Sequence, residues 1–236
     1  MTTFKKLSNL GRPLKLSQSH FLYSKKNKNQ YLFIGLGNIG KKYFDEKYRF
    51  EGMDASIAFV DVETILHGKF SHEVEKRTAT LTTQNHCLIF NEVQGVGIYE
   101  HLPLVLDREE DIGKATSLIK KFMQEYAEPF FDYWTDIRCF LTFIETEDLL
   151  YINMNVFAGY GMKKKMIIWK LCNHPRYEAF KKERVQVYEQ SILKSPNDKG
   201  KQIEFKELLS FLKRLDTTKP LYEWDDSYLI AKPLKQ

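Results

Sequence analysis

Gly35-Leu36-Gly37-Asn38-Ile39-Gly40 forms a G-x-G-x-x-G run directly after the apolar stretch Gln30–Ile34. In a βαβ unit such glycines permit a tight turn and let a pyrophosphate approach the N-terminus of the next helix. Here the following segment, Lys41 to Phe50, carries no helical stripe, and Gly52 comes next. A glycine fingerprint outside its βαβ setting is a weak sign of a nucleotide. The run therefore reads as a β-turn or bulge, and no cofactor is assigned. His67 and the pair His72-Glu73 are residue types that ligate zinc or move protons. A metal site needs at least three ligands that converge, and no H-E-x-x-H spacing is present, so these read as surface loop residues with no metal. Neither a G-x-S-x-G elbow nor a P-loop appears.

Two basic clusters could meet phosphate: Lys25, Lys26 and Lys28, and the triplet Lys163, Lys164 and Lys165. Aromatic neighbours such as Phe21, Tyr23, Tyr160 and Trp169 could add stacking platforms. The bland alternative is solvated lysines beside core aromatics. Pro129-Phe130-Phe131-Asp132-Tyr133-Trp134 is the most distinctive local phrase. It reads as a buried lock between helices, with Tyr133 and Trp134 as the residues that would anchor a partner if part of it were exposed.

The elements that must position these residues fall into two halves. His20–Tyr23 and Gln30–Ile34 flank the polar run Lys25–Asn29 and suggest a hairpin. Ala55–Val62, Ala79–Phe90 and Val96–His101 are further strand candidates, and short connections favour an antiparallel meander. The period changes at Asp107, which with Glu110 resembles a capping box. Ile112, Ala115, Ile119, Phe122, Met123 and Tyr126 then share one helical face, and Pro129 is expected to end that helix. Ile137–Ile144 suggests a second helix and Leu149 onward a third, interrupted by Gly159 and Gly161. Tyr177–Tyr188 and Phe205–Leu215 suggest two more, separated by the loop Ser195–Gly200. The expected fold class is α+β: an N-terminal antiparallel meander (1–106) packed against C-terminal helices (107–236) in one domain.

Bulk properties narrow the class. The chain has 236 residues, 43% hydrophobic and 14% aromatic, enough apolar area to support a packed core. No stretch reaches the roughly 18 apolar residues that cross a bilayer, and no apolar run follows the N-terminus, so neither a membrane nor a secretory signal is expected. Three scattered cysteines (Cys87, Cys139, Cys172) give no disulfide or zinc framework, which suits a cytoplasmic location. Charge is segregated. Residues 1–50 hold 11 Lys/Arg against 2 Asp/Glu, residues 51–150 hold 8 against 19, and the remainder holds 17 against 10. That pattern fits internal neutralisation better than a uniformly basic nucleic-acid binder.

The stretch Phe33 to Tyr43 resembles the opening of bacterial peptidyl-tRNA hydrolases, but Tyr48 stands where that family places its catalytic histidine. The phrase Glu125-Tyr126-Ala127-Glu128-Pro129-Phe130-Phe131-Asp132, after a strand meander and a helix, resembles an uncharacterised bacterial family of unknown function. The resemblance implies the fold and no catalytic residues. The expectation is a non-enzymatic, protein-binding or immunity-type accessory factor. A nucleic-acid or nucleotide binder using the basic hairpin is the alternative, and an enzyme whose site assembles only in three dimensions is the second alternative.

Overall fold

A computed structural model describes residues 13–17, 20–27, 29–37, 41–42, 48–50, 52–68, 79–82 and 102–229. The sequence-expected strand Val96–His101, most of Ala79–Phe90, and the residues Lys28, His72 and Glu73 lie outside them. The fold is α+β.

Strands β1 (Pro13–Ser17), β2 (His20–Asn27) and β3 (Gln30–Gly37) form the expected antiparallel meander. The β2–β3 ladder runs out to Asn27 opposite Gln30, so most of the polar run Lys25–Asn29 is strand rather than loop. β6 (Gly52–Phe59) adds antiparallel to β3, and β7 (Leu81–Thr82) to β6. The five-stranded order is β1-β2-β3-β6-β7. Between β3 and β6 the chain gives β4 (Lys41–Lys42) and β5 (Tyr48–Phe50), which form a second small sheet with β8 (Leu104–Val105).

This topology explains the glycine run. Gly35 and Gly37 are in-register residues of β3, paired on both sides, and Gly35 faces Asp54 across the ladder. A Cβ on Gly35 would sit 2.1 Å from the Asp54 carboxylate oxygen Oδ1. Close approach of a neighbouring strand's side chain is a structural reason for that glycine, with no ligand required.

Among the described residues, one helix lies inside the strand-rich half. The expected strand Ala55–Val62 stops at Phe59, and α1 (Val60–His67) follows at once. Its first turn carries Asp61 and Glu63, which suit the positive helix N-terminus, and Gly68 at φ 79° closes it in the left-handed region. An apolar run shared by a strand and the helix after it shows no break in its pattern. His67, expected in a loop, is the last residue of α1.

The helical half begins with α2 (Glu109–Phe122). The capping carboxylate is Asp111, which accepts the Arg108 N–H at 3.1 Å, one residue later than the Asp107–Glu110 pair suggests. Pro129 does not end the helical path. A π-turn (Met123–Ala127) widens the helix just ahead of it, and α3 (Glu128–Tyr133) continues with Pro129 in its first turn. The wider turn absorbs the missing N–H and relieves the clash that proline makes with a regular preceding turn.

A 3-10 turn (Ile137–Phe140) and α4 (Leu141–Ile144) come next, then α5 (Leu149–Tyr151) with a second π-turn (Ile152–Val156). Helices α6 (Gly161–Leu171), α7 (Tyr177–Lys194) and α8 (Lys199–Asp216) follow, and a last 3-10 turn covers Asp226–Leu229. Among the described residues no helix is long and apolar enough to cross a membrane.

The sheet and the helices share one core, from Ile34, Met53 and Ile57 to Trp134, Trp169 and Leu215. Trp134 is fully buried, stacks on Phe140 at 4.6 Å and meets Tyr133 edge-on at 4.9 Å. The side chain of Gln30, itself buried, donates to the Trp134 carbonyl at 2.7 Å and ties the meander to the aromatic lock.

Candidate functional site

The lysines opening α6 do not form one surface cluster. A helix turns about 100° per residue, so three in a row point three ways. Lys163 is half-exposed, with its ammonium 6.0 Å from the Tyr160 ring. Lys164 and Lys165 are 1% and 0% exposed.

Lys164 is the keystone of a buried polar knot. Its Nζ donates to the carbonyls of Ala79 (2.9 Å), Thr80 (3.3 Å) and Ala158 (3.3 Å), and lies 3.5 Å from Glu63 Oε1. The Thr80 hydroxyl donates to the same Glu63 oxygen at 2.7 Å and accepts the Phe59 N–H at 3.0 Å. His67 Nε2 approaches Glu63 Oε2 at 3.3 Å. Burial alone would raise the Glu63 carboxyl, but His67, Lys164 and Thr80 together hold it below the usual carboxylate range. For Lys164, burial lowers the ammonium and the Glu63 charge opposes it. Removed from water, such groups persist only when paired and hydrogen-bonded.

Lys165 is enclosed differently. Its Nζ donates to the Thr146 carbonyl at 2.8 Å and lies 4.2 Å from the Trp169 ring centre and 4.8 Å from that of Phe180. Burial pushes its ammonium down to about 8, with the Glu145 charge opposing. Trp169, read from the sequence as a stacking platform, is fully buried and stacks on His174 at 4.1 Å. Trp224 of the tail meets the same imidazole edge-on, so the tail packs on the body.

The buried knot positions an exposed turn. Residues Phe157 to Gly161 join the second π-turn to α6. The Ala158 N–H donates to the Thr80 carbonyl at 3.0 Å, and the Ala158 carbonyl accepts from Lys164. On the far side the Gly161 N–H donates to Asn153 Oδ1 at 3.0 Å, and a Cβ on Gly161 would come within 2.9 Å of the Asn153 backbone. Clamped from both ends, Gly159 takes φ 78° and Tyr160 takes φ 57°, ψ 32°. A bulky aromatic in the left-handed region is an outlier that persists only where its surroundings impose it.

The strained residue is turned outward. Tyr160 is 57% exposed, with His67 edge-on at 6.0 Å. Leu150 (72% exposed) and Met154 (60% exposed) stand one turn apart on the neighbouring α5 and π-turn, with Tyr151 between them. Gly161 abuts Asn153, so Tyr160 lies beside the turn that carries Met154. Around this turn a tyrosine, a leucine and a methionine are each exposed to solvent.

Of the residues singled out from sequence, the structure gathers Lys163 and Lys164 around this turn, one at the surface and one beneath it. Trp134 is core. Tyr133 is half-buried and lines a separate cavity with Arg138 and Tyr228. Lys25 and Lys26 lie in β2, away from α6 in sequence. The flanking glycines of Gly159-Tyr160-Gly161 are the sequence signal for the turn, although in the sequence they read only as a helix interruption. Leu150 and Met154 carry no signal, because an exposed apolar residue looks like a core one until its neighbours are known.

No family model matches the chain, and no curated protein or solved structure matches it either.

Proposed function

We propose that the chain is a protein-binding factor that grips an apolar segment of a partner protein on the face formed by Leu150, Met154 and Tyr160. The observation that carries this reading is Tyr160, an aromatic side chain held exposed at positive φ by a turn clamped from two sides. Backbone strain of this kind costs on the order of 1–3 kcal/mol and collects at binding and switch regions. Three further features agree. Tyrosine dominates protein-binding hot spots. Exposed methionine adapts to varied apolar partners. π-turns such as the one carrying Met154 are frequent at functional positions.

The test is site-specific photo-crosslinking from a benzophenone side chain placed at Met154, in lysate of the source cells. A discrete protein adduct that is lost in Leu150→Asp and in Tyr160→Ala, with both variants as stable as the parent, is the expected result. Absence of an adduct, or one that survives both substitutions, sinks the reading. A salt-steep RNA affinity lost in Lys163→Ala would point instead to nucleic acid, using the Lys163–Tyr160 pair.

A further inference from the structure

A cavity of about 210 Å³ lies between the Tyr133–Thr142 segment and the C-terminal 3-10 turn. Among the described residues its lining is Tyr133, Asp136, Arg138, Cys139, Thr142, Ser227 and Tyr228. The volume corresponds to about seven waters at the bulk share of roughly 30 Å³ each. It therefore suits a single-ring molecule better than a nucleotide.

The polar groups divide into those already used and those still available. Asp136 Oδ1 accepts the Arg138 N–H and Nε, each at 2.8 Å. Its Oδ2 accepts Arg138 Nη2 at 3.1 Å and the Tyr222 hydroxyl at 2.9 Å. A carboxylate offers about four acceptor positions, so Asp136 is saturated. The Thr142 hydroxyl donates to the Leu229 carbonyl and the Cys139 thiol to the Tyr133 carbonyl. Asp136 takes only the Nε and Nη2 side of Arg138, the Tyr228 hydroxyl also hydrogen-bonds the guanidinium, and the guanidinium lies 4.3 Å from the Tyr222 ring centre and 5.1 Å from that of Tyr228, which fixes its plane. With the hydroxyls of Tyr133, Ser227 and Tyr228, the cavity presents mainly donors, beside tyrosine rings that can stack.

Charge decides among the ligands that accept hydrogen bonds. Among the described lining residues one guanidinium and one carboxylate cancel, so these residues bring no surplus positive charge to compensate an anion for its lost hydration. Burial pushes the Tyr133 phenol up to about 12, which keeps it a neutral donor at physiological pH.

We propose that this cavity is a binding site for a small, uncharged, planar ligand bearing acceptor oxygens, of the class of aromatic or cyclic amides. The site is independent of the Tyr160 face, and its failure would leave that reading untouched.

Cys139 supplies the readout, because its half-buried thiol lines the cavity. The rate of Cys139 alkylation by iodoacetamide, followed by peptide mass mapping, is measured with benzamide, uracil or benzoate present. Cys172 is an internal control for folding: it is fully buried, and burial pushes its thiol up to about 12. An amide at ten times its dissociation constant should slow Cys139 by about tenfold, the factor by which the free site is depleted. Benzoate should not. Arg138→Gln should lose the amide effect while Cys172 stays protected. Ser227→Trp, which fills the cavity, should slow Cys139 without ligand and make benzamide ineffective. Unchanged Cys139 rates with both amides, equal protection by benzoate, or full protection surviving in Arg138→Gln with Cys172 unreactive would each overturn the proposal.

Discussion

The Lys164 ammonium faces the Glu63 carboxylate at 3.5 Å with both side chains 1% exposed, and the same ammonium caps carbonyls of Ala79, Thr80 and Ala158. One lysine thus joins α1, the strand entry at Thr80 and the turn that leads to Tyr160. Removing one member of a buried pair strands the other in a poor solvent. Lys164→Met should therefore cost about 3–5 kcal/mol in denaturant unfolding. Pairing it with Glu63→Leu should recover part of that loss, a coupling that a double-mutant cycle reads directly. Additive single losses would show that the two charges do not interact.

Lys165 gives a pH signature of opposite origin. Its folded ammonium titrates near 8, against an ordinary value of 10.5. Between those values the unfolded chain binds more protons than the folded one, so stability contributed at this site rises with pH across that window. Below it, a charged lysine is buried at a cost. Lys165→Met removes that cost, so its stability advantage over the parent should be largest near pH 7 and shrink towards pH 10. Comparing the two proteins cancels the tyrosines, Tyr133 and Tyr222 among them, that burial pushes up to about 12. A pH-independent difference would refute the assignment.

At Tyr160, strain and binding make separable forecasts. A left-handed conformation costs a non-glycine residue about 1–2 kcal/mol. Glycine escapes that cost and returns about 0.5–1 kcal/mol through its freer unfolded chain. Tyr160→Gly should therefore leave stability equal or raise it by about 1 kcal/mol, while abolishing the Met154 adduct. Loss of stability without loss of the adduct would make Tyr160 a structural residue.

The sequence carries the fold where periodicity is clean and loses it where distant partners decide. Phe205, Leu208, Leu212 and Leu215 repeat at helical spacing, and α8 covers them. The meander is visible because β2 and β3 are apolar runs around polar residues. α1 is hidden, since Phe59 and Val62 read as one strand across the junction. Pro129 misleads for a different reason: the sequence shows the missing donor but not the π-turn that accommodates it. Lys164 and Lys165 are the clearest case. Each becomes a core residue only because carbonyls elsewhere in the chain, the nearest to Lys164 being Ala79, close over it. No local pattern encodes that closure, and a triplet of lysines otherwise reads as surface.

Trp134 tests the aromatic lock. Its ring contacts Tyr133, Phe140 and Phe143, and its carbonyl holds Gln30 of the sheet. Trp134→Ala should lose about 3–5 kcal/mol, the range for deleting a large buried aromatic. Trp134→Phe, which keeps a stacking ring, should lose clearly less. Equal losses would mean that indole-specific contacts outweigh ring packing.

Gly35 separates the structural account of the glycine run from a ligand-binding one. An added Cβ meets the Asp54 carboxylate at 2.1 Å across the β3–β6 ladder, so Asp54 must move. Overpacking of this kind typically costs 1–3 kcal/mol, and a displaced side chain rather than a displaced backbone places Gly35→Ala near the lower end, about 1–2 kcal/mol. Shortening Asp54 to alanine removes the obstacle, so Gly35→Ala should cost less in an Asp54→Ala background than in the parent. A nucleotide site would behave otherwise: the glycine would be needed for the ligand, and trimming Asp54 would not restore binding. Unfolding free energies of the four proteins, with and without ATP, distinguish the two. Non-additive stabilities that ATP does not shift are the outcome expected of a glycine that makes room for its neighbouring strand.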